Sequence, residues 1–242
     1  MRTQSVMCVI AVALALSFVG TSAHGQDGEW SYELTPMYLW AMSGETEVTV
    51  DGISSSSDFG FSDIMDDVEF AFTVHFEATN GEWSIFGDLS YTELGRSAGP
   101  LDVDIEQIIA EVGAGVQVAE QWELIFGGRW FDLDIGLTAT GDPTMTASGG
   151  IDWIDPFIGV RTTTQIADKW WFTGRADIGG FSIGSDFSWN VIVSFDYRIS
   201  DAVELRLAAR ILDIQYDTGT GAGLAELDAT FYGPVLGITI HF

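Results

Sequence analysis

The sequence predicts an all-β fold, a transmembrane antiparallel up-and-down β-barrel of about ten strands. Three observations carry this: period-two alternation along most of the chain, aromatics that bracket the apolar series, and short turns alternating with long links. The alternation opens at Trp30-Tyr32-Leu34-Pro36-Tyr38-Trp40 and continues at Phe70–Phe76, Trp83–Tyr91, Ile108–Val118 and Trp122–Trp130. It resumes at Pro156–Ile166, Trp170–Ile178, Trp189–Tyr197, Val203–Ile211 and Tyr232–Phe242, which makes ten strands, or eight or twelve if one link is misread. Short turns fall at Ala78–Glu82, Ala119–Gln121, Ala167–Lys169 and Ser200–Ala202, with longer links at 41–68, 92–107, 131–155, 179–188 and 212–231. The recurring openings Glu82-Trp83, Gln121-Trp122 and Lys169-Trp170 read as a hairpin repeat within one domain.

Charge fixes the register. Within the ten spans lie nine acids (Glu33, Glu69, Glu77, Asp88, Glu111, Glu123, Asp177, Asp196, Glu204) and six arginines (Arg129, Arg161, Arg175, Arg198, Arg206, Arg210). All fifteen fall opposite the apolar series, and a one-residue slip would expose a whole strand's worth of them. Alternation alone does not say which face is inside, because a soluble barrel points its apolar face inward and a membrane barrel points it at lipid. Aromatic pairs eight to ten residues apart decide for lipid: Trp30/Trp40, Trp83/Tyr91, Trp122/Trp130 and Trp189/Tyr197, with Trp170 opening its strand. Eight residues at ~3.3 Å each, tilted by ~40°, rise about 20 Å, close to the ~25 Å apolar band between aromatic girdles.

Composition agrees. The 242 residues include 36 acids against 9 bases, a net charge of −27 that repels phosphate backbones and excludes nucleic acid as a partner. With 47% apolar and 19% charged residues the chain is no disordered polyelectrolyte. Residues 1–23 have the basic, apolar and small-residue order of a secretory signal peptide, with cleavage after Ala23 or Gly25 both fitting. Its apolar run, Val6–Val19, is short for a bilayer span, and it carries Cys8, so the exported chain has no disulfide framework. Residues 24–242 then form a single barrel domain whose longest loop, the acidic segment 43–66, lies at the extracellular end.

The last strand carries a more specific likeness. Leu236-x-Ile238-x-Ile240-x-Phe242 resembles the C-terminal signature of Gram-negative outer-membrane β-barrels, which the barrel-assembly machinery reads during insertion. The segment Asp152–Arg161, followed by the Asp168-Lys169-Trp170 turn, resembles a family of small, uncharacterised proteobacterial outer-membrane barrels. The resemblance spans the mature chain and implies fold, outer-membrane location and contact with outer-membrane lipid and lipopolysaccharide. It carries over no catalytic residue.

The inward face offers the candidate site, a lumen network of Glu33, Glu69, His75, Glu77, Asp88, Glu111, Arg129, Arg161, Arg175, Asp177, Asp196, Arg198, Arg206 and Arg210. Mutual pairing of these groups gives a rigid, closed interior, since about eight strands already leave room only for side chains. The expected role is therefore passive, structural or surface-interacting, with a narrow pore for small ions or solutes as the alternative. A hydrolase or acyltransferase needs a nucleophile with a general base, usually histidine, at the outer mouth. His24, His75 and His241 all lie elsewhere, so no enzyme is expected.

No cysteine remains after cleavage and no histidine pair has ligand spacing, so neither metal nor cofactor is expected. Glu45, Glu47, Asp51, Asp58, Asp63 and Asp66 of loop 43–66, with Asp102, Asp104, Asp132, Asp134, Asp142 and Asp152, are oxygen ligands of the type that attracts divalent cations. Their spacing matches no defined calcium loop and reads as a solvated acidic surface suited to a saline habitat. Asp51-Gly52 signals a hairpin turn in that loop, and Ser62 a helix cap running through Asp66. Closure removes strand edges, so a monomer is expected.

Overall fold

The computed structural model describes residues 29–36, 38–50, 53–98, 100–217 and 225–242; the signal segment, His24 and the Asp51-Gly52 turn lie outside them. The elements in chain order are β1 (Ser31–Thr35), β2 (Tyr38–Trp40), β3 (Ser43–Val50), β4 (Ile53–Phe59), α1 (Phe61–Asp67), β5 (Val68–Thr79) and β6 (Trp83–Ala98). They continue as β7 (Leu101–Ala119), β8 (Trp122–Ala139), β9 (Asp142–Ala167), β10 (Trp170–Gly179), β11 (Phe187–Ser200), β12 (Val203–Asp217) and β13 (Ala225–His241). From β5 to β13 each strand pairs antiparallel with its chain neighbour, and β1 pairs with both β5 and β13, closing the sheet. Because β1, β2 and β3 climb β13 as one interrupted stave, the barrel has ten staves, as the alternation predicts. Tyr32 and Phe242 seal the closure with two reciprocal backbone hydrogen bonds of 3.0 Å. This seam and the tight turns share one end of the barrel, the turn end; the opposite end is the loop end. At the first turn the Asn80 side chain accepts the Glu82 and Trp83 amides while Gly81 takes φ 85°, a left-handed geometry for which glycine pays no steric penalty.

Near the turn end the wall is apolar outside and polar inside. Val112 and Val118 are 69% and 62% exposed on the outer wall, alongside Ile158, Phe195, Leu236 and Ile238. An apolar surface of this extent belongs in lipid. The ten-residue β10 is long enough to cross a ~25 Å apolar band, whereas β9, with 26 residues, projects far beyond it at the loop end.

In that projection the polarity inverts. On β8, inward Arg129 and outward Trp130 give way to inward Phe131 and outward Asp132; on β9, inward Asp155 and outward Ile154 give way to inward Trp153 and outward Asp152. The same exchange occurs on β12 between Arg210/Ile211 and Leu212/Asp213. Beyond this level the strands behave as in a water-soluble sandwich. Ile109, Phe131 and Trp153 from one side pack against Leu212, Ile214, Leu227 and Phe231 from the other. The Trp153 ring stacks between Phe131 and Tyr216, at centroid distances of 4.9 and 4.3 Å.

The links read from sequence as loops are thus mostly strand: 92–107 and 131–155 extend β6 to β9, and 212–231 extends β12 and β13. Segment 43–66 forms the β3–β4 hairpin, stapled to β13 from Ser43↔Tyr232 upward, followed by α1. Gly60, whose amide donates to Asp63 Oδ2 at 2.8 Å, precedes α1 in place of the expected Ser62 cap; Ser62 lies within the helix.

Two site assignments change. Leu34 pairs with Ile240 but Tyr38 pairs with Gly237, so the first stave holds one extra residue between Thr35 and Tyr38. This bulge reverses the alternation, turning Tyr38 and Trp40 into the barrel. Trp40 is consequently no interface aromatic. Glu69 falls at a register shift between Val68 and Phe70 and is exposed beside Gly95, outside the lumen network.

Candidate functional site

Cross-strand register assembles the lumen. One row around the wall runs Thr35↔His75↔Asp88↔Glu111↔Arg129↔Asp155, and another runs Glu123↔Arg161↔Arg175↔Ile192↔Arg210. Like charges adjoin in both rows, Asp88 beside Glu111 and Arg161 beside Arg175, an arrangement unfavourable within a sheet. Partners elsewhere on the inner wall relieve it.

At mid-barrel four side chains form a closed ring. Arg129 donates to Glu111 Oε2 and Asp177 Oδ1, both at 2.8 Å, and Arg175 donates to Glu111 Oε1 at 2.6 Å and Asp177 Oδ2 at 2.8 Å. Arg129 is 0% exposed. Charges removed from water survive only when every partner is present, and here each carboxylate is shared by both guanidinium groups.

The ring rests on an aromatic floor absent from the sequence assignments. Phe86 and Phe157 lie on the charged face, in a row that reads Phe86↔Gly113↔Gly127↔Phe157, so the two rings fold over the two glycines, 6.4 Å apart. The Arg175 guanidinium lies 5.1 and 5.2 Å from their centroids, with Arg129 over Phe157 and Arg161 over Phe86. A large residue opposite a glycine on the inward parity is the sequence signal that would have found them.

Nearer the turn end Arg161 grips Glu77 with two bonds of 2.6 and 2.7 Å and reaches Glu123 at 2.7 Å. Arg206 pairs with Asp196 at 3.0 Å and approaches Glu33 at 3.9 Å, while Arg198 meets Glu204 at 3.3 Å. His75 lies 3.1 Å from Asp88 and 3.8 Å from Glu77, and the Tyr38 hydroxyl also donates to Asp88. His241 bridges Glu33 and Glu204. Arg210 differs: its Nε donates to Asn190 Oδ1 at 3.0 Å and its Cζ lies over the Trp40 ring, 4.8 Å from the centroid.

These groups enclose a chamber of about 480 Å³ that reaches down to Gln117, Glu120 and Gln121 at the β7–β8 turn. The mid-barrel ring and the loop-end apolar packing cover it above. On the loop-end side of the ring, Asp155 accepts the Ser185 amide and hydroxyl and the Ser188 hydroxyl at 2.6–3.0 Å, which draws the β10–β11 loop into the barrel. Among the described residues no group of three or more His, Cys, Asp or Glu has metal-holding geometry.

On the outer wall Trp83, Trp122 and Trp170 are exposed at the turn end, with Trp170 against Tyr197 at 5.0 Å, while Trp130 and Tyr91 lie farther towards the loop end and Trp189 and Trp30 are half-buried. Ile238 and Ile240 are exposed, and Phe242 stacks on Tyr32 at 5.8 Å. Outside the apolar band Glu93 faces Glu106, which faces Asp134, and Asp132 faces Asp152. Partial burial, then the charges of Asp134, Asp152 and Glu106, hold the Asp132 carboxyl above its ordinary range.

No protein-family model matches the chain, and no curated protein matches it. Among solved structures, the outer membrane protease OmpT from Escherichia coli aligns over 91% of this chain and 99% of its own, with a TM-score of 0.54 at 9% identity. Ail, the attachment invasion locus protein of Yersinia pestis, aligns over 88% of this chain and 99% of its own, with a TM-score of 0.44 at 10% identity. The translocator domain of the autotransporter NalP from Neisseria meningitidis covers 100% of this chain and 96% of its own, with a TM-score of 0.44 at 11% identity. At such identities the likeness is one of fold, and the alignment with OmpT carries it: the architecture is that of an outer-membrane β-barrel.

Proposed function

We propose that the chain is a bacterial outer-membrane barrel with a passive structural or surface-interaction role, its lumen closed to through-flow. The observation behind this reading is the Arg129–Glu111–Arg175–Asp177 ring, buried across the lumen beneath the apolar layer of Ile109, Phe131, Trp153 and Leu212. An ion crossing it would part four charge-assisted bonds and then enter a dry, apolar layer. The proposal includes no catalysis: His75 and His241 are engaged by lumen carboxylates on the turn-end side of the ring, away from the outer mouth.

Outer-membrane location belongs to the same proposal, supported by the secretory N-terminus, the apolar outer wall and the barrel fold. In this reading the turn end faces the periplasm, and lipid and lipopolysaccharide surround the wall. The assembly machinery reads Ile238, Ile240 and Phe242. Divalent cations form a loose layer over the acidic loop end, and the protein acts as a monomer.

The alternative of a narrow pore draws on the chamber, which already opens one half of the lumen. Single-channel recording of the refolded protein in planar bilayers separates the two. The expected record shows no steps above the bilayer baseline; steady unitary conductance would establish the pore.

A further inference from the structure

We propose that Arg210 anchors a binding site for a small monocarboxylate, with a polar body, that enters the chamber from the turn end. Five of the six lumen arginines have a carboxylate oxygen within 4.0 Å: Arg129, Arg161, Arg175, Arg198 and Arg206. Among the described residues Arg210 has none, although it is only 7% exposed. Its charge is balanced only at a distance, by Asp88 and Glu111, so the buried guanidinium lacks the direct carboxylate contact that each of the other five has.

The geometry leaves one edge for that purpose. Trp40 covers a face of the guanidinium at 4.8 Å, and Asn190 Oδ1 takes Nε at 3.0 Å. Among the described residues nothing takes the Nη1/Nη2 edge, and Arg210 lines the chamber. Fixed by a stack on one side and a hydrogen bond on the other, that edge is a preorganised fork of the kind that takes a carboxylate with two parallel bonds. Asn190 is itself held, its Nδ2 donating to Asp177 Oδ2 at 2.9 Å, so the anchor is tied to the mid-barrel ring.

The surroundings select the charge and shape of the occupant. Asp88 also lines the chamber; the Tyr38 hydroxyl and His75, the latter at 3.1 Å, occupy its oxygens, so its charge, like that of Glu111, reaches Arg210 through space without a direct ion pair. It does add negative potential, which favours one carboxylate over a dianion such as phosphate. Thr173 and Ser194 line the same space; their hydroxyls donate to Asp196, which leaves their oxygens to accept from the hydroxyls of a polar body, and the volume of about 480 Å³ suits a small solute. The site depends on the chamber alone and stands whether or not the barrel conducts.

Calorimetric titration of the full barrel, refolded in detergent micelles, with D-gluconate tests this, using D-glucose as the uncharged match and inorganic phosphate as the dianion. The expected result is saturable one-to-one binding of gluconate, with glucose and phosphate at least about tenfold weaker. R210Q is expected to lose gluconate binding by about tenfold or more, and R210K, which keeps charge without the fork, to fall between. N190A, which frees Nε without touching the charge, should weaken binding less than R210Q. Absence of saturable gluconate heat with the native barrel would overturn the proposal, as would native affinity in a folded R210Q. Equal affinity for gluconate and glucose would do the same.

Discussion

Gly127 and Gly128 are neighbours with opposite duties. A Cβ on Gly127 would lie 2.2 Å from the Val112 carbonyl oxygen and 2.7 Å from the Phe157 ring, whereas one on Gly128 would meet nothing nearer than Ile154 at 3.7 Å. Backbone does not yield as a side-chain tip does, so Gly127→Ala must push β7 from β8 or lift Phe157 from beneath Arg129 and Arg175. We expect Gly127→Ala to lower stability by about 1–3 kcal/mol or more, and Gly128→Ala to leave it nearly unchanged, as read by urea unfolding in micelles. Equal midpoints for the two variants would mean that the aromatic floor is not tightly packed. The glycine–phenylalanine complementarity is hard to read from sequence because it needs the register of four strands. The side of each strand that bears the charges needs only parity, and parity is present in every strand by itself.

Parity fails where a strand changes its rule. The aromatic series Trp30 to Trp40 looks uniform, yet the extra residue between Thr35 and Tyr38 turns its last two members inward, and no step in hydropathy marks the change. The projections of β7, β8, β9, β12 and β13 were hidden for a different reason: they alternate as regularly as the membrane part but with the apolar residues on the other face. Acids outside the apolar series therefore resemble loop in the sequence. Their crowding has a titratable consequence on β8. Asp132 faces Asp152, and its carboxyl is held above its ordinary range by burial and by neighbouring carboxylates, so ionising it costs the folded state more than the unfolded. That cost is present above the raised folded value and disappears below the unfolded value near ~3.9. Asp132→Asn should accordingly raise the urea midpoint at pH 7, and the gain should fade as pH falls towards about 4. A gain independent of pH would show that charge is not its source.

Taken whole, the molecule joins two solutions to the burial problem end to end: a lipid-facing barrel with a salt-bridged interior, and a water-facing sandwich with an apolar one. The join occupies one level, at Trp130, Ile154 and Ile211 outside and Arg129, Asp155 and Arg210 inside. That level acts as a waterline. Sinking the barrel by one residue pair along each strand, about 5 Å after tilt, would carry Asp132, Asp152 and Asp213 into hydrocarbon. Raising it by as much would lift the exposed apolar wall into water. Both displacements cost several kcal/mol in sum, since even one basic side chain on a barrel's lipid face costs ~2–4 kcal/mol at the midplane and acids somewhat less. The protein is therefore held at one height, and a bilayer of different thickness must deform to meet it. Refolding yield measured across phosphatidylcholines of increasing chain length should pass through a clear maximum; a flat profile would argue against so sharp a boundary. Depth in the membrane, usually left to lipid and neighbours to settle, is here written into the chain as the place where inside and outside trade chemistry.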